Sequence, residues 1–186
     1  MTEHTHHHDD DSACAVAHNP VAPASSPVPA ERTLVAVFAS PVAGYLLRYG
    51  ADMGFRGLLL EPDEARAAGT AALGFPLITA IPDDLDDSTD VVLTDHHRSE
   101  LGVILRDALA TKARWIGIMG NPHHAGPHVA ALTGLGVPTE EIARVHRPIG
   151  LNIGSRTPPE IALSALAGLL ADRNDRPGGF EFPSQP

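Results

Sequence analysis

Short apolar segments alternate with helix-like segments along most of this chain. The apolar and β-branched segments are predicted strands, at residues 33–39, 56–60, 76–80, 90–94 and 114–119. The segments with helical spacing or helix-start residues lie at 42–53, 63–68, 98–110, 125–135 and 158–171. Short continuous apolar strands that alternate with helices are typical of a parallel sheet covered by helices on both faces. We therefore predict a doubly wound, Rossmann-like α/β fold of three layers, with a mostly parallel sheet.

The chain length of 186 residues allows one such domain and its tails. We place the domain at residues 32–175. Residues 1–31 begin with a His- and Asp-rich stretch and continue with Ala, Pro and Ser, so they contain too few apolar groups to form a core and are predicted to be disordered. Residues 176–186 are predicted to be a flexible C-terminal tail.

The overall charge and the single cysteine exclude several classes of protein. A formal net charge of −10 argues against nonspecific nucleic-acid binding, which requires Lys and Arg to neutralise phosphates. Cys14 alone cannot form an internal disulfide, which fits a reducing compartment. The sequence contains neither an apolar run of about 18 residues nor a basic-then-apolar signal pattern. We therefore predict a cytoplasmic protein with no nucleic-acid or membrane partner.

A parallel sheet brings the carboxyl ends of its strands to one edge, where ligands bind near the switch in strand order. A dinucleotide-binding fold has G-x-G-x-x-G in the first of these loops. Here the turn holds Ala39, Ser40 and Pro41, and only Gly44 remains of the expected glycines. Glu61 follows the second strand, where an acid that binds ribose is expected. An NAD(P)-dependent oxidoreductase therefore stays open as an alternative.

The strand at residues 90–94 is followed by polar residues at the predicted ligand edge. Thr94, Asp95 and His96 can present polar groups there, and we predict that they contact a ligand. The competing interpretation is a solvated turn that caps the next helix. Neighbouring histidines on this edge could bind a metal together with Asp95, but their spacing matches no specific ligand pattern, and no metal site is predicted.

A second turn of this kind follows the strand at 114–119. Gly120 allows close approach of the backbone to a ligand, and the start of the next helix offers N–H groups to an anion. Asn121 and His123 add polar partners in the same turn. We predict that all three contact the ligand.

The densest polar segment precedes the last predicted helix. Thr157 is a natural N-cap, with Pro158 at the first helical position and Glu160 completing a capping box. Helix capping does not account for the glycines and the arginine before it, and a Gly-rich polar loop with an arginine suits a phosphate. The predicted contacts in this loop are Gly150, Asn152, Gly154, Ser155, Arg156 and Thr157. Arg156 is expected to grip the phosphate, unless it is only a solvated surface group.

Three segments of the chain match one known sequence pattern: VVLTDH at 91–96, WIGIMG at 115–120 and HRPIGLNIGSRTPPEIA at 146–162. They resemble the C-terminal Rossmann-like domain of the xanthine dehydrogenase accessory protein family (XdhC/CoxI). The last segment is similar to the family pattern H-x-P-I-G-L-D-I-G-[AS]-x-T-P-x-E-I-A. The resemblance covers roughly residues 34–173.

The resemblance implies an accessory protein that binds molybdenum cofactor and helps to deliver it to molybdenum hydroxylases, such as xanthine or carbon monoxide dehydrogenases. It implies that the carboxyl edge holds this cofactor or a nucleotide, and that a hydroxylase is the client partner. No nucleophile or catalytic triad is evident, so cofactor binding is favoured over catalysis and no catalytic residue is predicted. Oligomerisation with further copies of the chain stays open.

The sequence departs from the family pattern in three places. Residues 1–31 are too short and polar to replace the family's N-terminal domain, which a separate chain could supply. The first glycine loop, G-x-G-H-V-A in the family, is reduced to Ala39, Ser40, Pro41, Val42 and Ala43. The family's GSRRK turn has become GNPHH at 120–124 and has lost its basic residues. A divergent module that docks onto a partner without binding a ligand is the third hypothesis.

Overall fold

The computed structural model describes residues 32–70, 73–120 and 126–178. Six strands form one sheet: β1 (Arg32–Val37), β2 (Phe55–Leu60), β3 (Leu77–Ile78), β4 (Thr89–Leu93), β5 (Trp115–Ile118) and β6 (Val145–His146). The predicted N-terminal tail and most of the predicted C-terminal tail lie outside the described residues, so the domain limits stay predictions.

Six helices connect or follow these strands in the described part of the chain. They are α1 (Pro41–Asp52), α2 (Glu64–Ala67), α3 (Leu101–Leu109), α4 (Pro127–Gly134), α5 (Thr139–Ile142) and α6 (Pro158–Arg173). Two short elements, α5 and β6, were not predicted, because each is too short to show a period in the sequence. The other elements lie within a few residues of the predicted ones.

The strand order is β3-β2-β1-β4-β5-β6, and every neighbouring pair is parallel. This order and the helices on both faces confirm the predicted doubly wound, Rossmann-like fold. The chain reverses its direction of travel across the sheet between β1 and β4. The loops that follow these two strands therefore flank the switch point, where folds of this class bind their ligands.

Alternate residues of the central strands enter two separate cores, as the twofold side-chain period of a strand requires. On β1, Leu34 and Ala36 pack towards α1 and α6, whereas Val35 and Val37 pack towards α3, α4 and α5. All four side chains are fully buried. The sheet is thus the middle of three layers.

An ion-pair cluster at the amino edge of the sheet fixes the direction of α6. Asp90 is fully buried and pairs with Arg114, whose Nε lies 2.9 Å from Oδ1, and with Arg173 near the end of α6. Arg173 also donates from Nη2 to the carbonyl of Ser88 at 2.6 Å. Because its last turn is held at the amino edge, α6 directs its first turn, and the loop before it, towards the carboxyl edge.

Candidate functional site

The turn after β1 keeps the backbone shape of a glycine turn without a glycine. Phe38 has a φ of 72°, which ends β1 before the predicted Ala39. A side chain in this left-handed region costs roughly 1–2 kcal/mol. The Phe38 ring is fully buried, and the guanidinium of Arg98 lies 4.6 Å from its centre. Burial of the ring offsets the strain.

Two hydroxyl groups join the loops at the switch point. Ser40 caps α1, its Oγ accepting from the N–H of Ala43 at 3.0 Å, and it lies 2.9 Å from Oγ1 of Thr94. Thr94 Oγ1 also lies 3.0 Å from the carbonyl oxygens of both Val37 and Phe38. Thr94, a predicted ligand contact, thus already has internal partners.

The carboxylate of Glu61, the residue expected to bind a ribose, is occupied by hydrogen bonds from within the protein. It is fully buried and accepts hydrogen bonds from the backbone N–H of Ala39 at 2.8 Å and of Asp63 at 3.0 Å. Arg98 adds two parallel bonds of 3.1 and 2.9 Å. Burial raises the pKa of Glu61, but the bonds from Arg98, Ala39 and Asp63 outweigh it and hold the pKa below its usual value. The carboxylate therefore stays ionised.

The other half of the carboxyl edge, after β5 and β6, is built around Arg147. A Cβ added to Gly120 would lie 2.8 Å from Nε of Arg147. A Cβ added to Gly126 would lie 2.4 Å from the His128 ring and 3.1 Å from Cδ of Arg147. Both glycines thus give room to these side chains, and Arg147 lies directly against the end of β5.

The imidazoles near Arg147 have depressed pKa values. Burial lowers the pKa of His96, and the neighbouring His97 and Arg147 lower it further, against opposing effects of Asp95 and a hydrogen bond with the Met119 backbone. For His128, burial and then Arg147 lower the pKa. Burial is thus the main cause of both lowered pKa values, and the charge of Arg147 adds to its effect. The site contains an arginine and two imidazoles that can take up protons.

Asp95 has a local role in its loop. Its Oδ1 accepts a 2.9 Å hydrogen bond from the backbone N–H of His97. Within the described residues, no group of three His, Cys, Asp or Glu side chains is arranged to hold a metal ion. Asn121 and His123, predicted contacts in the next turn, lie outside the described residues.

Gly150 serves the packing of the loop before α6. Its φ is 91°, and an added Cβ would lie 2.6 Å from Oγ of Ser164. The adjoining Leu151 donates from its N–H to the Ser164 carbonyl at 3.1 Å, and its own carbonyl accepts from the Ser164 hydroxyl at 2.6 Å. Gly154, with a φ of 68°, has nothing within 4 Å of an added Cβ.

The predicted capping box at the start of α6 is confirmed. Glu160 accepts from the backbone N–H of Arg156 at 2.9 Å and of Thr157 at 3.1 Å, and these bonds lower its pKa. The carboxylate thus lies where a phosphate would use these N–H groups. The side chains of Asn152, Arg156 and Thr157 are exposed, and Ser155 is half-buried. Whether they contact a ligand stays a prediction.

The structure therefore brings His96 and Gly120 together around a residue that sequence reasoning did not select. The signal for Arg147 was present, because a permanent cation directly follows the last strand in the HRPIG segment. It was missed because β6 is too short to predict, so the end of a strand was not recognised there.

Comparison with known proteins identifies the family. Residues 34–169 match the model of the XdhC Rossmann domain. The chain belongs to this family. A stretch of 102 residues, 54% of the chain, is 34% identical to the uncharacterized protein YqeB of Escherichia coli K12 and covers 18% of it.

The fold is also similar to the crystal structure of a xanthine dehydrogenase from Bacillus halodurans. The TM-score is 0.60 at 21% sequence identity, over 78% of this chain and 45% of that one. The chain thus spans less than half the length of either relative. Among the described residues, no helix has the length and apolarity needed to cross a membrane.

Proposed function

We propose that this protein is a cytoplasmic accessory factor for the maturation of molybdenum hydroxylases of the xanthine or carbon monoxide dehydrogenase type. Membership of the XdhC Rossmann family supports this role, as does the fold shared with a xanthine dehydrogenase structure. In this proposal the carboxyl edge after β4, β5 and β6 holds the phosphate-bearing pterin of molybdenum cofactor, and a hydroxylase is the client that receives it.

The observation that carries the proposal is the positive group at this edge, in a chain whose net charge is −10. Arg147 would bind the phosphate through two parallel N–H donors, the geometry in which guanidinium recognises phosphate best. His96 and His128 would add donors once protonated, and an anion between them and Arg147 would relieve their repulsion. The donor set therefore fits a phosphate. The cofactor, once delivered, supplies molybdenum redox chemistry to the client enzyme.

NAD(P) binding is disfavoured by the other half of the edge. A dinucleotide requires an acid for the ribose and open N–H groups for the pyrophosphate. Glu61 is fully buried against Arg98, the Ala39 N–H is donated to Glu61, and Pro41 has no N–H. The same satisfied groups favour the second candidate function, a partner module that binds no cofactor.

Calorimetric titration with molybdenum cofactor, released anaerobically from a purified molybdenum enzyme, tests these hypotheses. We expect saturable binding that weakens at least about tenfold in Arg147→Ala, as for a lost hydrogen bond between charged groups. Arg156→Ala is the matched comparison, since the sequence alone pointed to that cation. NADH should produce no heat of binding.

The outcomes separate the candidates. Loss of affinity in Arg156→Ala with none in Arg147→Ala would move the site to the loop before α6. If the wild-type chain binds no cofactor while circular dichroism shows an intact fold, the hypothesis of a partner module without a ligand would be favoured. Co-purification with a hydroxylase, or with a chain that carries the family's N-terminal domain, would test the proposed partners.

A further inference from the structure

A cleft of about 400 Å³ opens beside the edge strand β6, on the side of the sheet that α6 covers. Its volume lies in the range of small-molecule pockets, roughly 300–1,000 Å³. The walls include Trp115, His146, Arg147, Pro148, Asp172 and Arg176. Asp172 and Arg176 belong to the end of α6 and the residues after it, so the cleft extends along β6 away from the carboxyl edge.

The floor of the cleft is aromatic. The His146 ring stacks on Trp115, with centroids 5.0 Å apart and planes 20° from parallel. Gly117 makes this possible, because a Cβ there would lie 2.2 Å from the Trp115 ring, which therefore lies flat along β5. Trp115 is buried and His146 is exposed. Since one face of the imidazole is covered by Trp115, its other face is available to a planar ring.

The charge of the cleft is positive. Asp172 is neutralised by Arg114, whose Nη1 lies 2.6 Å from its Oδ1. Arg176 is exposed, and no carboxylate among the described residues pairs with it. Arg176 therefore gives the cleft a cation that can pair with an anionic ligand.

The buried wall also contains an unmet donor. The indole Nε1–H of Trp115 has no hydrogen-bond partner within the described part of the chain. Native folds leave few buried donors in this state, and each costs about 1–3 kcal/mol.

We propose that the cleft binds a small planar aromatic anion, whose ring stacks on His146 and whose acidic group pairs with Arg176. Stacking on an aromatic platform and a guanidinium–anion pair are both well suited to such a molecule. The cleft shares one wall residue, Arg147, with the group around His96. The proposed contacts are with His146 and Arg176, so the site does not depend on the cofactor role proposed above.

The single tryptophan of the sequence gives a direct test, because Trp115 contributes the only indole N–H signal in a ¹H–¹⁵N spectrum of the full chain. Titration with 2-naphthoate should shift this signal saturably. The uncharged 2-naphthamide should bind more weakly, by up to about fivefold, the upper value for one exposed ion pair. Cyclohexanecarboxylate, which has the charge without the aromatic ring, should also bind more weakly.

Two pairs of variants complete the test. Arg176→Gln should weaken 2-naphthoate binding by up to about fivefold, whereas Arg48→Gln, at an exposed position of α1, should not change it. His146→Phe should retain binding and His146→Ala should lose it, with the rest of the spectrum showing an intact fold. An indole signal that does not move at millimolar 2-naphthoate would overturn the proposal. Equal affinity for the amide and in Arg176→Gln would overturn the anionic class of ligand.

Discussion

The two halves of the carboxyl edge, after β1 and β2 and after β5 and β6, differ in how their charged groups are arranged. After β1 and β2, Glu61 accepts from the backbone and from Arg98, so that opposite charges cancel inside the protein. After β5 and β6, Arg147 lies beside His96 and His128, and together with burial it lowers the pKa of both imidazoles. The first arrangement stabilises the fold. In the second, protonation of the imidazoles is disfavoured, and the anion of our proposal would make it more favourable.

The comparison shows which half of the edge differs most from a dinucleotide-binding loop. The first loop has Ala39, Ser40 and Pro41 at its turn, and the N–H groups of Ala39 and Ala43 are donated to Glu61 and to Ser40. The second half has glycines where a side chain approaches the strand end closely, as at Gly120 beside Arg147. The fold is of the dinucleotide-binding type, but in our proposal the ligand lies after β4, β5 and β6 and not in the first loop. Function must therefore be argued from the site.

The largest effect is expected from Glu61→Gln, which removes the charge that Arg98 requires. Loss of one partner of a buried ion pair costs about 3–5 kcal/mol, and Glu100, which also pairs with Arg98, should keep the loss near the lower value. Urea denaturation measures the free energy of unfolding, with Glu64→Gln on exposed α2 as the control. A loss of unfolding free energy below about 1 kcal/mol would show that the Glu61–Arg98 pair does not stabilise the loops after β1 and β2.

Gly150→Ala and Gly154→Ala separate packing from ligand binding in the loop before α6. Both glycines have positive φ, but only at Gly150 does an added Cβ meet Ser164. We expect Gly150→Ala to lower the free energy of unfolding by about 3 kcal/mol, from strain and overpacking. Gly154→Ala should cost about 1 kcal/mol, from strain alone. Equal losses in thermal and urea unfolding would contradict the packing role of Gly150.

The pH dependence of stability follows from the lowered pKa of Glu61. A carboxyl group of this kind stabilises the fold above its unfolded pKa, about 4.3, and the contribution is lost as the pH falls through the lower folded pKa. The difference in stability between wild type and Glu61→Gln should therefore shrink as the pH falls below about 4.5. Urea midpoints measured from neutral to acidic pH test this. A constant difference would contradict it.

Anion binding near Arg147 should depend on pH in the opposite direction: its affinity should rise as the pH falls. Because the pKa values of His96 and His128 are lowered, an anion that raises them must bind more tightly as the pH falls. Sulfate keeps its charge over this range and is a suitable probe. We expect affinity about threefold to tenfold higher at pH 6 than at pH 8. Imidazole ¹³C shifts should report the raised pKa values, and Arg147→Ala should abolish the effect.

The smallest effect is expected from Glu160→Gln. This change weakens the capping box, because the backbone N–H groups of Arg156 and Thr157 donate to the Glu160 carboxylate and an amide oxygen is a weaker acceptor. We expect a slight loss of stability and less than about a twofold change in sulfate affinity, because the anion binds elsewhere. A marked gain of affinity would reveal an anion site at the start of α6 that Glu160 blocks.

The fold was predictable because its signals are local and repeated. Apolar strands alternate with helices between residues 32 and 173, and Thr157, Pro158 and Glu160 together suffice to recognise the start of α6. The candidate site was only partly predictable. His96 and Gly120 follow β4 and β5, two strands that the sequence predicts, and were therefore selected as candidate contacts. Arg147 follows a strand of two residues, and the pairing of Glu61 with Arg98 joins residues 37 positions apart, which no local pattern encodes.

The turn at Phe38 bears on how this protein can change. A glycine turn can move aside for a ligand, but here the same backbone shape is locked by a ring buried under Arg98. Glycine at position 38 would relieve the strain and remove a core aromatic at the same time, at a cost of about 3–5 kcal/mol. A single substitution therefore cannot produce an open glycine turn here without a loss of stability. The shape of this turn is coupled to the hydrophobic core, so a change in the turn requires the core beneath it to repack.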